Sequence, residues 1–216
     1  VEDGSGLWEV SGFFSEKPNL LEIKILEVAF DIKFTVTKIV DRDWVSQVQR
    51  ELRPVRAGRF MIYGHHDVNE VPVNVYGLKI EAAMAFGTGH HATTVGCLLA
   101  LEYLKRNGFL FNNIVDIGCG TGVLAMAAAR VYLARIVAAD IDDVAIETAK
   151  ANFKANGLTK RIALVKSDGF NNAEIRKGIS YDLIFANILA RPLCALAPSM
   201  ARYSQRGGFI ILSGIL

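Results

Sequence analysis

The sequence predicts an α/β fold: a Rossmann-like, doubly wound, mostly parallel sheet, with a small second module ahead of it. Three observations predict it. From residue 93 onward, short apolar segments alternate with longer stretches of helical periodicity. The apolar segments are continuous rather than alternating, as in strands covered on both faces. One of them runs through Asp116 into a glycine-rich turn and then an alanine-rich helix, the strand–turn–helix unit that opens such sheets.

Taken in order, Leu7 to Phe14 alternates around Trp8, Val10 and Phe13 and reads as a strand. Pro18 opens a helix through Leu20, Leu21, Ile23, Ile25 and Leu26, since proline is tolerated in a first turn. Phe34 to Val40 reads as a second strand. Residues 1–42 bury too little to hold a core alone, and they read as part of a small α/β module whose beginning is missing. Residues 43–80 read as a linker and lead-in: a short helix over Asp41 to Leu52 ended by Pro54, then strands at Arg59 to Tyr63 and Val71 to Ile80.

The larger domain spans 81–216. Helices are expected at Thr93 to Asn107, Val123 to Leu133 and Val144 to Asn156, the last closed by Gly157. Strands are expected at Asn113 to Ile117, Arg135 to Asp140, Ile162 to Lys166, Tyr181 to Ala186 and Gly208 to Ser213, with an interrupted helical segment over Leu189 to Tyr203. Each crossover is expected to be right-handed. The chain stops after an apolar strand, where a full sheet would continue, so the domain reads as truncated at its C-terminus.

Composition bounds the function. The 216 residues are 51% hydrophobic and 21% charged, which suits a globular protein with a sizeable core. The net charge is only +2 and no run of like charges stands out, so no strong direct nucleic-acid binding is expected. Cys97, Cys119 and Cys194 fit no zinc or disulfide spacing and suit a reducing cytosol. No apolar run reaches the ~18 residues of a membrane span and no signal peptide is visible, so a cytoplasmic protein without a membrane partner is expected. His90 and His91 have no Cys or carboxylate at ligand spacing, so no metal is expected. Gly87-Thr88-Gly89 lacks the lysine of a phosphate loop. Arg50, Arg53, Arg56 and Arg59 form a basic interval that reads as a solvated face or a contact to an RNA-bound substrate.

The sharpest chemical signal is IVDIGCGTGVLAMAAAR, residues 114–130. Gly118, Gly120 and Gly122 allow a tight turn and close approach of a ligand to the backbone. Their G-x-G-x-G spacing differs from the G-x-G-x-x-G of nicotinamide cofactors. Asp116, two positions before the first glycine, would repel a pyrophosphate and suit a ligand carrying an ammonium and a sulfonium. Asp140 ends the next strand, about 20 residues on, where this topology hydrogen-bonds ribose hydroxyls. A carboxylate accepts two hydroxyl protons at once. Asp140 could instead cap the following helix, a role for which Asp142 or Asp143 is better placed. Ile141 would then lie beside an adenine. Asp168, after the following strand, reads equally as an acceptor for the adenine amino group or as a plain turn aspartate. Together these point to S-adenosylmethionine.

Two further motifs carry a family resemblance. AFGTGHHATT, residues 85–94, and FANILARPL, residues 185–193, resemble signatures of the ribosomal protein L11 methyltransferases (PrmA). The order of Gly-Thr-Gly loop, DIGCGTG turn, AADIDDVAIETAKANFKANG and NILA matches too, and the resemblance covers nearly all of residues 43–216. It implies a class I methyltransferase domain, a partial ferredoxin-like substrate-recognition domain in residues 1–42, and a ribosomal protein as the substrate. It implies cofactor contacts at Thr94, Gly118, Asp140 and Asn187, with Phe86 and Thr88 in a loop covering the methionine end. Asn187 would orient the amine that receives the methyl. The chain departs from the family's pattern at Ala92, where proline is usual, and in lacking the first part of the N-terminal domain and the closing strands. Two other functions compete: methylation of another amine, on a nucleobase or a small molecule, and a nucleotide-binding Rossmann module without methyl transfer.

Overall fold

The computed structural model describes residues 12, 14, 16–37, 54–64, 67, 71–80, 92–177 and 180–214. The chain divides into two compact units, Val1–Arg42 and Asp43–Leu216.

In the first unit, helix α1 spans Leu20–Phe30, and the Asn19 side chain caps it by accepting the Leu21 amide at 3.0 Å. No α1 residue is buried. The strand expected from Phe34 is absent over residues 34–37, and residues 38–40 lie outside the described set. The physical reason is local: the Phe34 amide donates to the Glu27 carboxylate at 2.8 Å rather than to a neighbouring strand. The strand expected at Leu7 to Phe14, apart from residues 12 and 14, and the helix expected at Asp41 to Leu52 also lie outside the described residues.

The second unit carries two sheets. Strands β1 (Val55–Ala57), β2 (Phe60–Tyr63) and β3 (Tyr76–Lys79) form a small one in that order, β1 antiparallel and β3 parallel to β2. Within the lead-in, β2 and β3 fall inside the two strands expected there, and β1 was not foreseen. Phe60, Ile62 and Leu78 from it share one buried core with Leu98, Leu101 and Phe153 of the larger domain. The Asn156 side chain fastens the edge of β3, donating to the Lys79 carbonyl at 2.7 Å and accepting the Lys79 amide at 3.0 Å.

The larger sheet has the order β6-β5-β4-β7-β8, and every pair in it is parallel. Its strands are β4 (Asn113–Ile117), β5 (Arg135–Asp140), β6 (Ile162–Lys166), β7 (Tyr181–Asn187) and β8 (Ser204–Ser213). The helices between them are α2 (Ala92–Arg106), α3 (Val123–Val131), α4 (Asp143–Ala155), α5 (Ala173–Arg176) and α6 (Ala190–Tyr203). Two separate buried clusters line the sheet's faces, as a doubly wound architecture requires. Helix α6 is continuous although Pro198 lies inside it, because Leu193 and Met200 bury on either side of the proline and hold the segment to the sheet. Strand β8 begins four residues earlier than its apolar pattern suggests, since a register shift near Tyr181 and Leu183 extends the ladder to Ser204.

The strand order reverses between β4 and β7, and in such sheets ligands sit beyond the carboxyl ends of the strands at that point. Among the described residues no helix is long and apolar enough to cross a membrane.

Candidate functional site

The glycine-rich turn follows β4 directly. Gly118, Gly120 and Gly122 have φ of 69°, 53° and 76°, the left-handed region that side chains disfavour. The turn is tied to β5 by hydrogen bonds from the Gly118 and Cys119 amides to the Ala139 carbonyl, at 2.8 and 3.0 Å. A Cβ on Gly118 would stand 2.3 Å from Cγ2 of Ile188, and one on Gly122 would meet the Phe153 ring at 2.4 Å. The first glycine thus fixes the distance between the turn and the end of β7; the last lets α4 pack beneath α3.

Asp116 is 1% exposed, and its carboxylate accepts the Ala125 amide at 3.0 Å, satisfying an open donor in the first turn of α3. Burial pushes its carboxyl up to about 7, the Ala125 amide pulls it down, and the charge of Asp140 pushes it up. Asp140 is half-buried, accepting the Gly120 amide at 2.8 Å on one oxygen and the Asp142 amide at 3.1 Å on the other. The helix-capping role belongs to Asp142, whose side chain accepts the Val144 amide. Two amides leave the Asp140 carboxylate with lone pairs to spare.

Ile141, next in the chain, is 62% exposed. The Ser167 amide donates to the Asp140 carbonyl at 2.8 Å, which brings the exposed Asp168 alongside. The Asp168 carboxylate makes no hydrogen bond among the described residues.

The third part of the site joins residues far apart in sequence. Asn187 ends β7, and its amide nitrogen donates to the hydroxyl of Thr94, fully buried on α2, at 3.4 Å. The Asn187 amide oxygen is buried and has no hydrogen-bond partner among the described residues. An unpaired buried acceptor is costly, and this one lies at the end of β7, the strand beside the one that runs into the glycine turn. The hydroxyl of Thr93, one residue before Thr94, is likewise buried and unpartnered among the described residues.

The described residues offer no other reactive group here. Burial and then the Asp116 charge raise the Cys97 thiol to about 11, and burial foremost raises Cys119 well above the usual thiol range, so neither is a thiolate nucleophile at neutral pH. No group of three His, Cys, Asp or Glu residues able to hold a metal occurs among the described residues.

The fold thus gathers Asp116, the three glycines, Asp140, Ile141, Asp168, Thr94 and Asn187 along one edge of the sheet. Phe86, Thr88, His90 and His91 lie outside the described residues. Sequence reasoning did not single out Ile188, which packs against Gly118; its only signal was its place inside the FANILARPL motif.

The family model described as ribosomal protein L11 methyltransferase (PrmA) matches residues 5–216. A ribosomal protein L11 methyltransferase of Agrobacterium fabrum is 44% identical, over 100% of this chain and 75% of that protein. One of Rhodopseudomonas palustris is 42% identical, over 97% of this chain and 72% of its own length. Among solved structures, a ribosomal protein L11 methylase from Lactobacillus delbrueckii subsp. bulgaricus matches with a TM-score of 0.65 and 28% identity, over 75% of this chain and 80% of that one. A T. thermophilus 16S rRNA methyltransferase in complex with AdoMet and guanosine shares the fold, with a TM-score of 0.51 and 22% identity, over 59% of this chain and 36% of that one. With a family match along nearly its whole length and relatives above 40% identity, the chain belongs to the ribosomal protein L11 methyltransferase (PrmA) family.

Proposed function

We propose that this chain is an S-adenosylmethionine-dependent protein N-methyltransferase that methylates amino groups, lysine side chains or an N-terminal amine, of a large-subunit ribosomal protein in the cytoplasm. The observation that carries the reading is the buried oxygen of Asn187, without a hydrogen-bond partner among the described residues, at the switch point of a chain in this family.

The residues present fit the cofactor. Asp140 keeps lone pairs for a pair of ribose hydroxyls. Exposed Ile141 offers an apolar face to the adenine, and exposed Asp168 an acceptor to its amino group. Gly118, Gly120 and Gly122 fold the chain into a tight turn of positive φ where the cofactor would lie, with Ile188 and Phe153 packed against the first and last, and the Thr94 hydroxyl accepts from Asn187. Phe86 and Thr88 are read as covering the methionine end. When bound, S-adenosylmethionine supplies a methyl carbon activated by a positively charged sulfur.

The protein's remaining task is alignment of the acceptor. A lysine ammonium has no lone pair and ordinarily keeps its proton up to about 10.4, so the site must take the amine in its neutral form, which desolvation favours. The Asn187 oxygen accepts an N–H of that amine and fixes its lone pair without adding a full charge. Residues 1–42 are read as part of a ferredoxin-like substrate-recognition domain and 43–80 as the lead-in to the catalytic domain.

Incubating the chain with methyl-labelled S-adenosylmethionine and purified large-subunit proteins tests this. Label is expected in one protein, on lysine or the N-terminal nitrogen. Label only in RNA or small molecules, or calorimetric binding of NAD in preference to S-adenosylmethionine, would overturn the reading.

A further inference from the structure

The net charge of +2 conceals an uneven distribution along the strands. In a parallel sheet with helical crossovers, strands end and helices begin at one edge, and the reverse holds at the other. The edge that carries the cofactor site holds Asp140, Asp142, Asp143 and Asp168. The opposite edge gathers Lys105 and Arg106 at the end of α2, Arg130 in the last turn of α3, Lys154 in the last turn of α4, and Lys160 and Arg161 just before β6.

Contacts knit several of these together. The Lys105 ammonium lies 4.8 Å from the Tyr132 ring centroid, and Arg161 donates to the Tyr132 carbonyl at 2.9 Å. Arg130 donates to the Asn156 carbonyl at 3.2 Å. None of the six has a carboxylate partner among the described residues. The acids described nearby are already engaged: Glu174 by Arg135 and Lys177, Asp182 by the amides of Asn112 and Asn113. Helix dipoles favour cations at helix C-termini, which accounts for the four on α2, α3 and α4 but not for Lys160 and Arg161, which lie outside any helix. On the same edge Phe109 is 39% exposed, braced edge-on by Phe209 at 4.7 Å.

We propose that this basic edge docks single-stranded RNA, its cations along the phosphates and Phe109 under a base. Cations drawn from several elements, without a carboxylate partner among the described residues, match a polyanion of repeating charge, whose binding gains from counterion release. An exposed ring beside them favours a nucleic-acid strand, whose bases stack on aromatics whatever the sequence, over a peptide carrying acidic side chains alone. The inference stands apart from the identity of the methyl acceptor, because docking is read at the far edge of the sheet and without transfer.

Fluorescence anisotropy of a labelled mixed-sequence RNA 20-mer with the full chain tests it. R106E/K154E/K160E is expected to weaken binding at least about tenfold and to make the log–log salt slope shallower by about two. K17E/K24E/K33E, exposed lysines of the first unit with the same total charge change, should leave binding near wild type. F109A should weaken binding about tenfold with the salt slope unchanged. If the first triple variant fails to fold by thermal melting, R106Q/K160Q replaces it, with a slope shallower by about one. Equal loss in both triple variants, no binding by the wild type, or displacement of RNA by polyglutamate of matched charge would each overturn the proposal.

Discussion

The carboxylate of Asp116 lies 3.0 Å from the amide nitrogen of Ala125, so a side chain at the end of the first strand of the large sheet caps the helix that follows the glycine turn. Its pKa of about 7 has a direct consequence for stability. Between the ordinary value of 3.8 and about 7 the folded chain keeps a proton that the unfolded chain has lost. The stabilisation is complete below the lower value and is lost as pH rises through the higher, by up to about 1.4 kcal/mol per pH unit. Asp116→Asn stays neutral throughout, so its stability relative to wild type should improve from pH 4.5 to pH 7 in urea unfolding. A gap between the two proteins that does not change with pH would refute this.

Asp140 is expected to serve both the turn and the cofactor, through the Gly120 amide on one side and ribose hydroxyls on the other. Asp140→Ala should weaken S-adenosylmethionine binding by roughly 10- to 100-fold, the range for losing charge-assisted hydrogen bonds. Asp140→Asn, which keeps one acceptor, should fall between. Isothermal titration calorimetry reads both; an alanine variant with wild-type affinity would exclude Asp140 from the cofactor site.

Asn187→Ala removes the acceptor that has no partner among the described residues and its link to Thr94 together. The expected effect is a loss of about 10²-fold in kcat, the scale for removing one positioned dipole, with little change in melting temperature. Thr94→Val removes only the hydroxyl that holds Asn187 and should show a milder loss in the same direction. Single-turnover methyl transfer compares the two; equal rates for wild type and Asn187→Ala would remove the asparagine from the mechanism.

Gly118→Ala meets two obstacles, a φ of 69° and the Ile188 methyl 2.3 Å away. Backbone strain and overpacking each cost about 1–3 kcal/mol. Ile188→Ala should relieve the steric part and leave the backbone part, so the double variant should be more stable than the sum of the single effects implies. Strict additivity in chemical denaturation would show that the two residues do not touch.

Much of the fold was legible because buried parallel strands announce themselves as apolar runs. The ends of β4, β5 and β6 were read to the residue, since polar turns bracket Asn113–Ile117, Arg135–Asp140 and Ile162–Lys166. Helix α5 was not foreseen: Ala173–Arg176 is shorter than one period of any hydrophobic pattern and rests on the Asn172 cap and the burial of Ile175. Phe34 was read as strand because its neighbours alternate, but pattern cannot show that Glu27 would take its amide. Around the glycine turn, the nearness of Asp116 and Asp140 was visible from their spacing relative to the glycines. The meeting of Thr94 and Asn187 was not visible in any local spacing, because it depends on how α2 crosses the end of β7; only the family resemblance named both. The contact between Ile188 and Gly118 is likewise a product of the crossover.

The grip of Asn156 on both backbone groups of Lys79 reaches beyond that one position. A single amide imitates a rung of a ladder, so the outermost strand of the small sheet is finished off by a side chain and does not invite a foreign strand there. Because that rung springs from the tail of a helix belonging to the main body, peeling the small sheet away would strip both at once. Residues 55–80 should therefore melt together with the rest of the second unit, in one transition, rather than come loose first.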